Sequence, residues 1–239
     1  MTDGGVRIVI AEGRPLYRRG LAALLRGHPG WVVVAEEDSG TAAIAAAVHA
    51  EPDVVVVDLE LSRPDGIETT RQLVGARPGL GVLVLTRFDD DSALFDAVCA
   101  GARGHLHKAA VHAEIVAAVS AVANGDAVLG AGVARRLADF FAGPRPAGTV
   151  GTPALTGRET EVLNLVAAGW SVPDIAKVLV LGAPVVRGHI TAVVAKLQAA
   201  HGPGPDGLWD AAGAVERPAP ADRPRRTGSR RGSRRGRRR

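Results

Sequence analysis

The stretch DVVVVDLELSRPDG, residues 53–66, decides the fold of this chain. Its four consecutive valines leave no polar side, and a strand that is apolar at every position is typical of a parallel sheet covered on both faces. The run ends in Asp58 and is followed by a Pro-Asp-Gly turn. Because open parallel sheets bind ligands at the carboxyl ends of their strands, Asp58 is predicted to stand in a ligand crevice.

Similar apolar runs alternate with helical periodicity on both sides of this stretch. The predicted strands are Val6–Ala11, Trp31–Ala35, Val54–Val57, Val82–Thr86 and Gly104–Lys108. Each is followed by a segment whose apolar residues fall on one face of a helix. This alternation within about 125 residues predicts an α/β domain with a doubly wound, five-stranded parallel sheet.

The rest of the chain divides into segments of different composition. We assign residues 1–127 to the sheet domain and residues 128–152 to a linker with one short helix. Residues 153–202 show helical periodicity three times and are predicted to form a small all-α domain. Residues 203–239 are rich in Gly, Pro and Arg and are expected to be disordered.

Charge is distributed unevenly along the chain. The formal net charge is +4, but residues 217–239 contain 11 Arg and one Asp, so residues 1–216 sum to about −6. The N-terminus has no signal-peptide layout, and no run of about 18 apolar residues suggests a membrane span. With Cys99 as the single cysteine, we expect a cytoplasmic protein without disulfides or membrane partners.

Four polar residues are predicted to converge where the strands end. Glu12 follows the first strand, Asp58 the third, Thr86 the fourth and Lys108 the fifth. Two carboxylates, a hydroxyl and an ammonium suit phosphoryl transfer to an aspartate. In that chemistry the acids hold Mg²⁺, one carboxylate attacks phosphorus, and the other groups stabilise charge on the transferred oxygens.

Over roughly residues 6–125 the sequence resembles the receiver domain of bacterial two-component response regulators, in particular the NarL/FixJ-like subgroup. The resemblance is carried by Asp58 with its downstream Asp-Gly, by Thr86 in VLVLTRFDDD, by Lys108 after GARGHLH and by the opening RPLYRRGLAALL. It implies a flavodoxin-like fold with Asp58 as the phosphoacceptor. It further implies that Thr86 and Lys108 stabilise the phosphoryl group and that His105 takes the place of the usual switch Tyr or Phe.

The acidic pocket departs from the pattern of that family. Receivers carry two consecutive acids after the first strand, where this chain has Glu12 and Gly13. The resemblance implies Glu12, Asp58 and the backbone of Glu60 as the metal ligands that remain. Since few protein oxygens hold Mg²⁺ at all, the loss of one acid predicts that Mg²⁺ binds weakly or not at all.

The helical segment LTGRETEVLNLVAAGWSVPDIAKVLVLGAPVVRGHITAVVAKLQA, residues 155–199, has the helix-turn-helix plan. It resembles the LuxR-type helix-turn-helix domain through LTGRETEVL, IAKVL and the pattern from Val186 to Leu197. By that resemblance one group of residues faces bases and another lies nearer phosphates. The base-facing group is Arg187, Gly188 and Thr191; the phosphate group is His189 and Lys196.

Together these features indicate a DNA-binding transcriptional response regulator of a two-component system, without enzymatic activity of its own. Double-stranded DNA is the predicted partner, and the resemblance adds a cognate histidine kinase and a homodimer. The arginine tail is predicted to attract phosphate. Two alternatives stay open: an atypical receiver that is not controlled by phosphorylation but still binds DNA, and a protein-interaction module that does not bind DNA.

Overall fold

The valine run forms the third of five strands in the computed structural model, which describes residues 5–88, 90–143 and 154–201. The strands are β1 (Val6–Ala11), β2 (Trp31–Glu37), β3 (Val54–Asp58), β4 (Gly81–Thr86) and β5 (Gly104–His107). The helices between and after them are α1 (Pro15–Arg26), α2 (Gly40–Ala50), α3 (Gly66–Ala76), α4 (Asp91–Cys99) and α5 (His112–Ala123). The strand order is β2-β1-β3-β4-β5 and every pair is parallel, which confirms the predicted doubly wound sheet.

Both faces of the sheet are covered, as the apolar strands require. Val54 and Val56 pack with α1 and α5 on one face, whereas Val55 and Val57 pack with α2, α3 and α4 on the other. All four valines are at most 1% exposed. The uninterrupted apolar run therefore follows from burial on two sides, because successive side chains of a strand point to opposite faces.

The turn after β3 places the carboxyl end of the strand under tight steric limits. A Cβ added at Gly66 would lie 2.6 Å from the carbonyl oxygen of Asp58, so only glycine fits there. The neighbouring Asp65 caps α3, because its Oδ1 accepts a hydrogen bond of 2.8 Å from the backbone N–H of Glu68. The Asp-Gly pair thus begins the helix and leaves room beside the acceptor position.

In the part of the chain that the structure describes, four further helices follow the sheet domain: α6 (Ala131–Ala142), α7 (Gly157–Ala167), α8 (Val172–Val178) and α9 (Ala183–His201). A capping box begins α7. The Thr156 hydroxyl accepts from the N–H of Glu159, and the Glu159 carboxylate accepts from the N–H of Thr156. Ser171 caps α8, because its hydroxyl accepts a hydrogen bond from the N–H of Asp174.

The segment predicted as a linker with one short helix contains that helix, α6, and the helix is packed against its neighbours. Val133, Ala134 and Leu137 of α6 are fully buried in an apolar cluster that also includes residues of α4, α7, α8 and α9. Ahead of α6, the backbone of Val128 bridges to Gly104 at the edge of β5. The described residues of the helical module are therefore packed onto the sheet domain through α6 and α4.

Among the described residues no single helix is long and apolar enough to cross a membrane, and only the bent pair α8 and α9 passes such a test jointly. The predicted tail at residues 203–239 lies outside the described residues. Asp90 caps α4, since its Oδ1 accepts from the N–H groups of Ser92 and Ala93.

Candidate functional site

The predicted convergence at the strand ends is present. Asp58 is the last residue of β3, Thr86 ends β4, and both are 3% exposed. Glu12 directly follows β1 and is 1% exposed. Lys108 directly follows β5, and its ammonium Nζ lies 2.6 Å from Glu12 Oε2 and 2.8 Å from Asp58 Oδ1. Three of the four predicted side chains thus form one buried ion cluster.

The Lys108 side chain is held in place by more than its two carboxylates. It is 4% exposed, and its Nζ lies 5.0 Å from the centre of the Tyr17 ring. The Tyr17 hydroxyl in turn donates to the carbonyl oxygen of Lys108 at 3.2 Å. Burial raises the pKa of the Tyr17 hydroxyl, and the negative charges of Glu12 and Asp58 raise it further.

Each carboxylate of the cluster also accepts a backbone hydrogen bond. The N–H of Arg14 donates to Glu12 Oε1 at 2.9 Å, and the N–H of Glu60 donates to Asp58 Oδ1 at 3.0 Å. Burial raises the pKa of the Glu12 carboxyl, and the hydrogen bonds from Lys108 and Arg14 oppose this rise only partly. Asp58 therefore stands at the strand end with one oxygen fixed by an ammonium and an amide.

The Thr86 hydroxyl makes its hydrogen bonds within its own loop. Its Oγ1 accepts from the N–H of Phe88 at 3.1 Å and lies 3.3 Å from the Phe88 carbonyl oxygen. The residue is thus at the predicted strand end, while its hydroxyl points to the β4–α4 loop in this conformation.

His105 lies on β5 beside the start of α6. A Cβ added at Gly130 would be only 3.0 Å from His105 Nε2, so the ring packs closely against the backbone there. Its buried Nδ1 has no hydrogen-bond partner among the described residues. Burial lowers the pKa of His105 to about 4, against a smaller opposing effect of Asp91. The imidazole is therefore neutral at physiological pH.

An ion cluster that the sequence did not predict covers the mouth of the pocket. The Glu60 carboxylate pairs with Arg14 at 2.8 Å and with Arg87 at 2.9 Å. Both arginines are roughly half exposed, whereas the Glu60 side chain is 18% exposed. In the sequence, only the positions of the two arginines indicated that they could lie near the pocket. Arg14 comes two residues after Glu12, and Arg87 directly follows Thr86.

The residues of the pocket do not fit the magnesium site that the receiver pattern implies. The two side chains implied as ligands, Glu12 and Asp58, share one ammonium. The third implied ligand is the backbone of Glu60, and the Glu60 carboxylate pairs with two guanidinium groups. The described residues contain no group of three or more His, Cys, Asp or Glu side chains that could hold a metal ion. Since Mg²⁺ demands near-ideal octahedral geometry and gives up water reluctantly, a pocket already closed by an ammonium is a poor host for it.

The five residues predicted to contact DNA take three different positions. Arg187 and Thr191 face the sheet domain: Arg187 Nε lies 3.1 Å from Asp126 Oδ2, and Thr191 Oγ1 accepts from the N–H of Ala127 at 2.8 Å. Gly188 is exposed and His189 is half-buried. The first two side chains are therefore occupied by the segment that follows α5.

Lys196 is used inside its own domain. Its Nζ lies 2.5 Å from Glu159 Oε2 and 3.0 Å from the carbonyl oxygen of Ala154. Burial raises the pKa of the Glu159 carboxyl, but hydrogen bonds from Lys196 and Thr156 outweigh it, so the net pKa is lowered. This geometry supports a structural role for Lys196 and gives no support to the predicted phosphate contact.

Further contacts hold α9 against the sheet domain. The Gln198 amide donates to the carbonyl oxygens of Val98 and Ala102, both at 3.1 Å. His201 Nε2 lies 3.6 Å from the Sγ of Cys99. Burial raises the pKa of the Cys99 thiol to about 12, so this sulfur is neutral and unreactive. The helix predicted to read DNA is thus docked along its length.

Known proteins resemble both parts of the chain. Residues 8–120 match the response regulator receiver domain, and residues 153–203 match the luxR family of bacterial regulatory proteins. The transcriptional regulatory protein LiaR of Bacillus subtilis is 33% identical over 194 residues, which cover 80% of this chain and 90% of that protein. The DNA-binding transcriptional activator DevR/DosR of Mycobacterium tuberculosis is 34% identical over 194 residues, or 80% of this chain and 88% of that protein.

Solved structures give the same result for the fold. The RcsB response regulator of Salmonella typhimurium superposes with a TM-score of 0.51 at 25% identity, covering 81% of this chain and 92% of that chain. The receiver domain of the putative response regulator NarL from Mycobacterium tuberculosis gives a TM-score of 0.50 at 30% identity. It covers 51% of this chain and 98% of that chain.

Proposed function

We propose that this chain, which belongs to the family of two-component response regulators with a receiver domain and a LuxR-type DNA-binding domain, uses Asp58 as its phosphoryl acceptor. The observation that carries the proposal is the ammonium of Lys108 between Glu12 and Asp58. A carboxylate held in this way at the carboxyl end of a central strand presents its free oxygen to the crevice, where a phosphodonor can approach.

The chemistry assigned to Asp58 is a simple displacement. A carboxylate oxygen of Asp58 forms a bond to phosphorus, the bond from phosphorus to the leaving group of the donor breaks, and the leaving group departs with the electron pair. Lys108 stays beside the transferred group and stabilises its oxygens. The Thr86 hydroxyl exchanges its hydrogen bond with Phe88 for one with a phosphoryl oxygen, which moves the β4–α4 loop.

Phosphorylation of Asp58 is proposed to control access to α9. The contacts of Arg187 with Asp126 and of Thr191 with Ala127 occupy two side chains that would face bases. A helix cannot read the major groove with those side chains turned to its own receiver domain. Phosphorylation then shifts the population toward an undocked conformation, since DNA binds only that conformation.

The partners follow from this scheme. Double-stranded DNA is the target of the LuxR-type domain, a histidine kinase is the proposed phosphodonor, and a homodimer is the proposed DNA-bound form. Arginine at position 187 can pair bidentately with guanine O6 and N7 once it has left Asp126.

A binding experiment tests the proposal with the full chain. A duplex selected from a random pool by the acetyl phosphate-treated protein serves as the probe. Treatment with acetyl phosphate should tighten binding of the wild type roughly tenfold, within the usual range of coupling free energies, and should not change binding by the Asp58→Asn variant. A treated wild type that is phosphorylated yet binds no more tightly would show that release of α9 is controlled in another way.

A further inference from the structure

The charges around Asp58 balance without a divalent cation. Three carboxylates, Glu12, Asp58 and Glu60, face three cations, Lys108, Arg14 and Arg87, through four ion pairs of 2.6–2.9 Å. Lys108 pairs with two of the acids inside the pocket. The two arginines share the third acid at its mouth. The formal charges of these six side chains therefore sum to zero.

The third acid of this cluster is physically tied to the acceptor. The backbone N–H of Glu60 donates to Asp58 Oδ1 at 3.0 Å, so the Glu60 side chain leaves the chain next to the reacting carboxylate. Its carboxylate holds both guanidinium groups there, with Arg14 Nη2 at 2.8 Å and Arg87 Nε at 2.9 Å. The arginines reach the mouth from separate loops, after β1 and after β4.

Guanidinium groups are suited to the charge that appears on phosphorylation. They remain protonated, they carry several donors in a planar fork, and they bind phosphate oxygens bidentately. A phosphoryl group on Asp58 brings about two negative charges to a site beside Glu60. It would compete with that single carboxylate for the two arginines and offer them more acceptor oxygens.

We propose that Asp58 accepts its phosphoryl group without a divalent cation, and that Arg14 and Arg87 bind the phosphoryl oxygens in its place. The inference rests on the proposed role of Asp58 as acceptor. With acetyl phosphate, an Asp58 carboxylate oxygen bonds to phosphorus, the bridging phosphorus–oxygen bond breaks, and acetate leaves with the electron pair. The arginines then leave Glu60 for the phosphoryl oxygens, while Lys108 remains in place.

The first experiment separates metal-free from metal-dependent transfer. The full chain is incubated with acetyl phosphate either in EDTA or in excess Mg²⁺, and the mass of the intact protein is followed over time. The proposal expects equal rates within about twofold in the two conditions. Labelling that needs Mg²⁺ would overturn the inference and leave Asp58 as the acceptor. An absence of labelling in both conditions would overturn the proposed acceptor function itself.

The second experiment tests whether Arg14 and Arg87 bind the phosphoryl oxygens. Arg14→Gln and Arg87→Gln should each slow labelling in EDTA roughly tenfold, the effect of one lost charge-assisted hydrogen bond in the transition state. Arg26→Gln is the matched control, because Arg26 is also half exposed and pairs with Glu36 at 2.7 Å elsewhere in the domain. Rates in the two test variants equal to the control would overturn the assignment.

Metal binding supplies a readout that does not depend on labelling. Titration calorimetry with Mg²⁺ should give no binding heat with the wild type in the millimolar range. Gly13→Asp should restore a metal site, because it returns the missing acid after β1, and a Cβ at Gly13 meets only the Asp38 carbonyl oxygen, at 3.8 Å. Heat of Mg²⁺ binding in the wild type equal to that in Gly13→Asp would contradict the inference.

Discussion

The sequence predicted the arrangement of the pocket around Asp58 more accurately than that of the residues proposed to read DNA on α9. In the pocket, residues predicted from separate strand ends meet in one buried cluster, with Lys108 between Glu12 and Asp58. On α9, five residues predicted for one task are divided among the receiver domain, solvent and the helical module itself. The end of a buried strand fixes where its side chain lies, and the sequence predicts that position. The contacts of an exposed helix face depend on which surface packs against it, which the sequence of the helix does not determine.

The ion pair in each region can be broken by removing its lysine. Lys108→Ala leaves two buried carboxylates without a cation, so the free energy of unfolding at pH 7.5 should fall by about 3–5 kcal/mol. Lys196→Ala removes a cation that is 21% exposed, and Glu159 keeps its hydrogen bonds to Thr156, so the loss should be about 1–2 kcal/mol. Urea unfolding of both variants measures the difference.

A second substitution checks the cause of the larger loss. Adding Glu12→Gln to Lys108→Ala should recover part of the stability, because one of the two like charges is removed. Lowering the pH should also reduce the loss, since the unpaired carboxylates then take up a proton more readily than in the unfolded chain. Equal losses for Lys108→Ala and Lys196→Ala would contradict the contrast between the two regions.

The buried His105 predicts a pH effect of intermediate size. Its pKa is lowered to about 4 in the folded protein, against about 6.5 in the unfolded chain, so between these values only the unfolded chain binds the proton. Stability contributed by the neutral ring is thus present above pH 6.5 and lost as the pH falls toward 4. Between pH 7.5 and 5 the wild type should lose about 2 kcal/mol more than His105→Phe. If urea unfolding gave free energies that changed equally with pH for the wild type and His105→Phe, a role of His105 in this pH dependence would be excluded.

Arg187 tests the DNA side of the comparison. Arg187→Ala should weaken binding of the selected duplex by about 1–3 kcal/mol and relax the preference for guanine at one position. Arg71→Ala is the control, since Arg71 pairs with Glu68 on the receiver surface. Fluorescence anisotropy with base-substituted duplexes gives both readouts. An unchanged base preference would show that Arg187 does not read a base.

The smallest expected effect concerns the contact that occupies Arg187. Asp126→Ala removes an ion pair that is 38% and 30% exposed on its two sides, so it should favour release of α9 by about 0.2–1 kcal/mol. The unphosphorylated variant should bind DNA up to about fivefold more tightly than the wild type. The two proteins should bind alike after phosphorylation. If Asp126→Ala tightened DNA binding by the same factor with and without phosphorylation, the substitution would instead act on the contact with DNA.

Much of the fold and of the pocket was predictable because burial constrains the sequence. Four valines in a row fit only a strand covered on two faces, and the polar residue after each such strand has to lie at one edge of the sheet. The capping box at Thr156 was predictable for the same local reason, since both of its hydrogen bonds join residues three apart.

The remaining features depend on contacts between distant residues. Arg14 and Arg87 lie close in sequence to predicted pocket residues, but no local pattern indicates that both pair with the same acid, Glu60. The prediction of a phosphate contact for Lys196 did not take account of the buried Glu159. The carboxylate of Glu159 pairs with Lys196, 37 residues further along the chain. The short helix predicted within the linker is present as α6, but the burial of Val133 and Leu137 among residues of α4, α7, α8 and α9 depends on distant contacts.

The most direct test locates the phosphoryl group itself. The full chain is treated with acetyl phosphate, the acyl phosphate is reduced with borohydride, and peptides are sequenced by mass spectrometry. Homoserine should appear at position 58, and its formation should be lost in the Asp58→Asn variant and strongly reduced in Lys108→Ala. Homoserine at another aspartate, or the corresponding longer alcohol at a glutamate, with no homoserine at position 58, would contradict the claim that the cluster of Glu12, Asp58 and Lys108 is the acceptor site.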